Sequence, residues 1–130
     1  VCKVYWALVE NRPDPPAGEL VHFLRKDERH RKMHVTVASA AGAQEARLRY
    51  RIVQQARHYS VLEVELDTGR KHQIRVQLAK IGCPILGDRK YGSPRSFPSG
   101  IALHARRLTF EHPVRHEPIE LVAPFPKAWP

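Results

Sequence analysis

At 130 residues the chain has room for one compact domain and little for a second. A hydrophobic content of 42% excludes wholesale disorder, and 22 Lys and Arg against 13 Asp and Glu leave a net charge of +9 that points to a polyanionic partner, nucleic acid ahead of an anionic membrane. No apolar run approaches the ~18 residues needed to span a bilayer, no signal-peptide pattern opens the chain, and Cys2 and Cys83 are too few for a disulfide framework or a four-ligand zinc site, so a reducing, cytoplasmic setting is expected.

Val1 to Val9, "VCKVYWALV", is β-branched and aromatic and reads as a buried strand. "ENRPDPPAGE" breaks it, because its prolines and glycine continue neither a strand nor a helix; it reads as a surface loop. "LVHFLRKDERHRK" fits either a short strand or a turn of helix, followed by a charged loop. Glu45 to Gln55 and His58 to Leu66 read as two strands of an antiparallel hairpin broken at Ala56 and Arg57. In the second of them Val61, Glu63 and Glu65 alternate with Leu62, Val64 and Leu66.

After Gly69 the period changes. Ile74, Leu78 and Ile81 fall on one helical stripe, so a helix is expected over Lys71 to Ile81, with Thr68 as its N-cap and Gly82 followed by Pro84 as its stop. "LGDRKYGSPRSFPSG" is irregular, and Ile101 to Pro113 and Ile119 to Pro126 look like two further strands. The sum is about five strands and one helix, an α+β domain with a mixed, largely antiparallel sheet.

The strand-to-helix turn carries the chemistry. A glycine-containing turn that feeds a helix N-terminus suits an anion, through free backbone amides and the helix dipole. Arg70 and Lys71 sit there with His72 and Arg75 beside them, and cations at that end oppose the dipole unless an anion or a carboxylate joins them. The bland alternative is a solvated basic face.

"TGRKHQIRVQLAKIGCPILGDRKYG" resembles the third motif of the RluA-type RNA pseudouridine synthases, T-G-R-x-H-Q-I-R followed by G-x-P-I-x-G-D-x-x-Y-G. "KVYWALVE" is similar to the family's K-x-Y-x-A-x-V motif, "LHARRLTFEHP" to its late strand and "APFP" to its close, so the resemblance covers nearly the whole chain in the family's order. It implies one lobe of the pseudouridine synthase fold and an isomerase that converts uridine to pseudouridine in rRNA or tRNA without metal or organic cofactor. By the same resemblance Arg75 pairs with and orients a catalytic aspartate, since a carboxylate beside a guanidinium stays ionised and positioned. Tyr5 packs against the target base, Lys3 joins the polar network of that strand and Ile85 packs near the base. Arg70, Lys71 and His72 brace the turn or touch RNA phosphate.

The family's aspartate motif, H-R-L-D, does not occur here. Asp14 lies between prolines, Asp27 in a charged loop and Asp67 at a position the pattern leaves open, while Asp88 reads as a turn or cap group. None takes over the nucleophile's role. Residues 1–130 are therefore expected to form a single domain that is the C-terminal portion of a synthase catalytic domain, inactive alone and partnered by the missing N-terminal part. A natural remnant that keeps only RNA or ribosome binding is the alternative. A chain that opens in mid-strand without methionine favours the first, and loss of upstream strands would leave an apolar edge or face exposed. His30 and His34, four apart, could share a metal on a helix, but cations flank them and no carboxylate completes the set, so no metal site is expected. Cys83 reads as a packed thiol, and His104, His112, Trp6, Tyr50 and Trp129 as structural side chains.

Overall fold

The computed structural model describes residues 2–94, 101–111 and 118–122. Seven strands form one sheet: β1 (Cys2–Val9), β2 (Ala17–Asp27), β3 (Lys32–Thr36), β4 (Gln44–Gln55), β5 (Ser60–Leu66), β6 (Leu103–Glu111) and β7 (Pro118–Val122). Their order across the sheet is β3-β2-β4-β5-β1-β6-β7. Every described pair is antiparallel, so the expected mixed character is absent among the described residues. One helix, α1 (Gln73–Lys80), follows β5 and lies against β2 and β3; a 3-10 turn (Arg89–Tyr91) comes after it. The expected strand at Ile101 to Pro113 is realised as far as Glu111 and the next as far as Val122; His112, the 95–100 loop, "APFP" and Trp129 lie outside the described residues.

Two strands exceed the sequence expectation. The charged stretch after the proline loop is a β2–β3 hairpin, with Leu24 opposite Val35 and Arg25 opposite His34. Its many cations hid the alternation that buries Leu24 and Met33 while Arg25 and His34 stay exposed. In β4, Ala46, Leu48 and Tyr50 are buried and Arg49 and Arg51 exposed, the period of two that a sheet with one covered face requires. The register sets Leu48 opposite Leu66, Tyr50 opposite Val64 and Ile52 opposite Leu62.

The covered face meets α1. Ile74 and Leu78 enter the main core with Leu48, Leu62 and Val64, while Val76 joins Leu24, Met33 and Ala46 in a smaller cluster. Beyond the helix Gly82 adopts φ +84, its amide bonds the Ala79 carbonyl, and the chain turns back to β1. There Ile85 bridges Val9, and Leu86 donates its N–H to the Leu8 carbonyl at 2.8 Å. Cys83 is a buried free thiol in this return, as expected. Only Val21 and Val37 are exposed large hydrophobics among the described residues, so the anticipated bare apolar face is not seen there.

Candidate active site

The turn between β5 and α1 is built by side chains that bond backbone. Gln73 Oε1 accepts from Thr68 Oγ1 at 2.8 Å and from the Arg70 N–H at 2.9 Å, and its Nε2 donates to the Arg47 carbonyl at 3.0 Å. Thr68 Oγ1 also accepts the Arg47 N–H, so turn and β4 are stitched together. Thr68 is thus a strut and not the helix N-cap. That position falls to His72, with φ 54 and no capping side-chain bond, and α1 begins later than expected, at Gln73. Gln73 takes the Arg70 amide in the turn ahead of the helix, not one of the helix's own first amides.

Arg70 turns its Nε to the Glu45 carbonyl at 2.8 Å, which braces the turn as expected. Arg75 stands in the first turn of α1, where a cation opposes the dipole. A carboxylate relieves that conflict. Nε donates to Asp88 Oδ2 and Nη2 to Asp88 Oδ1, both at 2.8 Å, a bidentate pair. Asp88 is only 1% exposed, and these hydrogen bonds raise the Arg75 pKa above its ordinary value. The expectation that Asp88 caps or turns the chain is corrected in this respect: its backbone carbonyl accepts the Tyr91 and Ser93 amides, but its side chain makes no cap bond and serves Arg75.

Tyr91 completes the constellation. Its ring lies 5.0 Å from the Arg75 guanidinium carbon, its hydroxyl accepts the Met33 N–H at 2.9 Å, and the same hydroxyl shares a 2.9 Å hydrogen bond with His72 Nδ1. The His72 and Tyr91 rings meet edge-on, 5.8 Å apart at 87°. Burial lowers the His72 pKa, helped by Arg75, Lys71 and Lys90 and opposed by Asp88, so the neutral imidazole is favoured. Tyr91 was missed as a site residue. Its spacing gave the signal, since Asp88 and Tyr91 stand three apart in G-D-x-x-Y-G, and a 3-10 turn stacks such positions on one side.

A cavity of about 240 Å³ opens beside Arg75. Tyr5, Arg70, His72 and Arg75 all line it, with Gln73 in its polar wall and Leu66, Ile74 and Leu103 supplying the apolar part. Four residues proposed from two motifs thereby share one concave surface, because β1 and β5 are neighbours and α1 grows out of β5. Among the described residues no aspartate or glutamate lines the cavity. Asp67 pairs with Arg49, and Asp27 lies in the β2–β3 hairpin.

The remaining expected site residues lie elsewhere. Lys3 is exposed two positions before Tyr5 on β1, on the same face, but does not line the cavity, and its side chain makes no hydrogen bond among the described residues. Lys71 is exposed and precedes α1. Ile85 is a correction: it is 0% exposed in the main core, sealed by its bridge to Val9, and has no surface to offer RNA. His30 and His34 also differ from expectation. They flank a hairpin turn instead of sharing a helix, and a carboxylate does join them: Asp27 Oδ2 accepts from His30 Nδ1 at 2.7 Å and His34 Nε2 at 2.6 Å. The three ligand-type atoms lie within 4.8 Å of one another, and the two histidines hold the Asp27 carboxyl well below the usual range. Their mutual hydrogen bonds account for the arrangement.

A sequence model described as RNA pseudouridylate synthase matches residues 1–80, a span that includes every residue lining the cavity except Leu103. The chain is similar to ribosomal large subunit pseudouridine synthase D of Xylella fastidiosa, 40% identical over 114 residues, covering 77% of this chain and 34% of that protein. It is also similar to an uncharacterized RNA pseudouridine synthase of Chloroflexus aurantiacus, 41% identical over 126 residues, covering 95% of this chain and 39% of that one. Among solved structures, human RNA Pseudouridylate Synthase Domain Containing 4 superposes with a TM-score of 0.77 at 28% identity, over 97% of this chain and 58% of that one. The chain therefore spans little more than a third of the length of the two sequence relatives.

Proposed function

The chain belongs to the RNA pseudouridylate synthase family, of the RluA type, and on that premise we propose that the Tyr5–Arg75 cavity receives a uridine of rRNA or tRNA for isomerisation to pseudouridine. One observation carries the reading: an aromatic ring, two guanidinium groups and a neutral-leaning imidazole converge on a cavity smaller than the ~300–1,000 Å³ usual for drug-sized ligands, a size suited to a single ring. Tyr5 packs against the base. Arg75 is clamped by Asp88 along Nε and Nη2, so its outer edge meets the nucleophilic carboxylate in a fixed orientation. That carboxylate comes, in this reading, from a segment outside these 130 residues. Arg70 and His72 shape the rim, Lys71 and Lys3 supply charge for phosphate beside it, and the protein works in the cytoplasm.

The absence of a carboxylate from the cavity lining favours a second reading, a non-catalytic RNA- or ribosome-binding module of the same fold. Site variants in the natural full-length protein separate the two. Tritium release from C5-labelled uridine in rRNA and tRNA transcripts is expected from the wild type. Arg75→Ala is expected to lower it at least ~10²-fold, the scale of losing an electrostatic positioning group, and Tyr5→Phe to reduce it with RNA affinity preserved. A pure binder releases no tritium and is indifferent to Tyr5.

A further inference from the structure

A second concavity, about 480 Å³, lies between β3, the C-terminal half of α1 and the 3-10 turn. Lys32 and His34 reach it from β3, Lys80 from the last turn of α1, and Arg89 and Lys90 from the 3-10 turn. Among the described residues none of its lining is a carboxylate. Asp27, which meets His34 Nε2 at 2.6 Å, is not among them. Among the described residues no carboxylate pairs with Lys32, Lys80, Arg89 or Lys90.

The contrast with the exposed face of β4 and β5 is informative. There Arg47 pairs with Glu19 and Glu45, Arg49 with Glu65 and Asp67, and Arg51 with Glu63, so the charges cancel locally. Part of the chain's surplus of +9 stands instead in the groove. Lys80 there has a local reason, the C-terminal end of the helix dipole. Lys90 Nζ donates to the Arg31 carbonyl at 2.9 Å and Lys32 Nζ stands over the Tyr91 ring, but neither contact cancels charge; with Arg89 they come from two other elements, and their mutual repulsion costs stability unless an anion lies among them.

Tyr91 links the two concavities. It lines the groove, its ring lies 6.0 Å from Lys32 Nζ, and its hydroxyl bonds His72, which lines the Tyr5 cavity. Because His72 and Tyr91 join the two concavities, a strand holding one base in the first would present an adjoining phosphate to the second. We propose that the Lys32–Lys80–Arg89–Lys90 groove binds the phosphodiester backbone of the RNA next to the nucleotide held at Tyr5 and Arg75. This rests on the RNA reading above and adds a location to it.

The test is the salt dependence of poly(U) binding by the natural full-length protein. Each phosphate neutralised on a single strand contributes about −0.7 to the slope of log K against log salt. The double variant Lys80→Gln/Arg89→Gln alters exposed side chains with no hydrogen bond among the described residues. It is expected to flatten the slope by about 1.4 and to weaken binding at low salt. A reference double variant, Arg51→Gln/Arg57→Gln, removes the same charge from the exposed face of β4 and the turn after it, outside the groove lining, and is expected to leave the slope unchanged. A groove variant with the wild-type slope, or a reference variant with an equal shift, overturns the groove while leaving the RNA reading intact. A wild type that fails to bind poly(U) even at low salt overturns the RNA reading, and the groove with it. Circular dichroism of both variants confirms that the fold is kept.

Discussion

Arg75, Asp88, Tyr91 and His72 act as one unit, and substitutions separate their parts. Asp88 is buried, so Arg75→Ala strands a carboxylate and is expected to cost about 3–5 kcal/mol in urea unfolding. Asp88→Asn keeps the shape and loses one charge-assisted bond, so its cost is smaller. Tyr91→Phe keeps the ring over the guanidinium but orphans the Met33 N–H and the His72 bond, for an expected loss of about 1–3 kcal/mol in the same measurement. A Tyr91→Phe protein as stable as wild type would show that water replaces the hydroxyl and that the unit is looser than drawn. At this scale the sequence was legible where a motif named both residue and place: Tyr5, Arg70, His72 and Arg75 do share a cavity. Asp88 was misread because a G-D turn has a local explanation, and nothing local says that the carboxylate reaches thirteen residues back to α1. Ile85 was misread because a position after a helix says nothing of burial against β1.

Among the elements, α1 depends on its ends. Gly82 has φ +84, and a Cβ built there meets nothing within 4 Å. Gly82→Ala therefore costs only left-handed strain, about 1–2 kcal/mol by thermal unfolding. Gln73→Ala removes three hydrogen bonds, two within the β5–α1 turn and one that ties it to β4, and is expected to destabilise by more than Gly82→Ala and to lower turnover with it. An equal or smaller loss would mean that Thr68 and Arg70 hold the turn without it. The β4–β5 hairpin and the helical stripe were readable from periodicity, since one face of each is covered. The β2–β3 hairpin was not, because its solvent face is so dense in charge that strand and loop look alike. Gln73 as the tie from the turn to β4 could not be read either, since its partner there, Arg47, is remote in sequence.

For the molecule as a whole, pH and charge set the terms. Burial lowers the pKa of both His22 and His72, with Lys80 adding to the first and Arg75 to the second. The unfolded chain then binds more protons than the folded one just below the ordinary histidine value, so stability is full above about pH 6.5 and falls as pH drops through the depressed pKa values. Urea midpoints measured from pH 8 to pH 5 are expected to show that decline, and His22→Gln to reduce it. A flat profile would mean that neither imidazole is held neutral. His22 Nδ1 receives a hydrogen bond from buried Gln77 at 2.8 Å, which fixes the neutral form from a second direction. Architecture at this scale was partly legible: the α+β class and antiparallel pairing followed from patterns, but the placing of β1 between β5 and β6 is a long-range choice.

The claim that these residues hold the arginine and the tyrosine of a site whose carboxylate lies elsewhere is tested most directly by tritium release from C5-labelled uridine. The 130 residues would be assayed alone, then with a polypeptide bearing the family's H-R-L-D motif supplied in trans. No release alone and release on addition, abolished by Arg75→Ala, is the expected result. Release at a normal turnover rate by the 130 residues alone would contradict it.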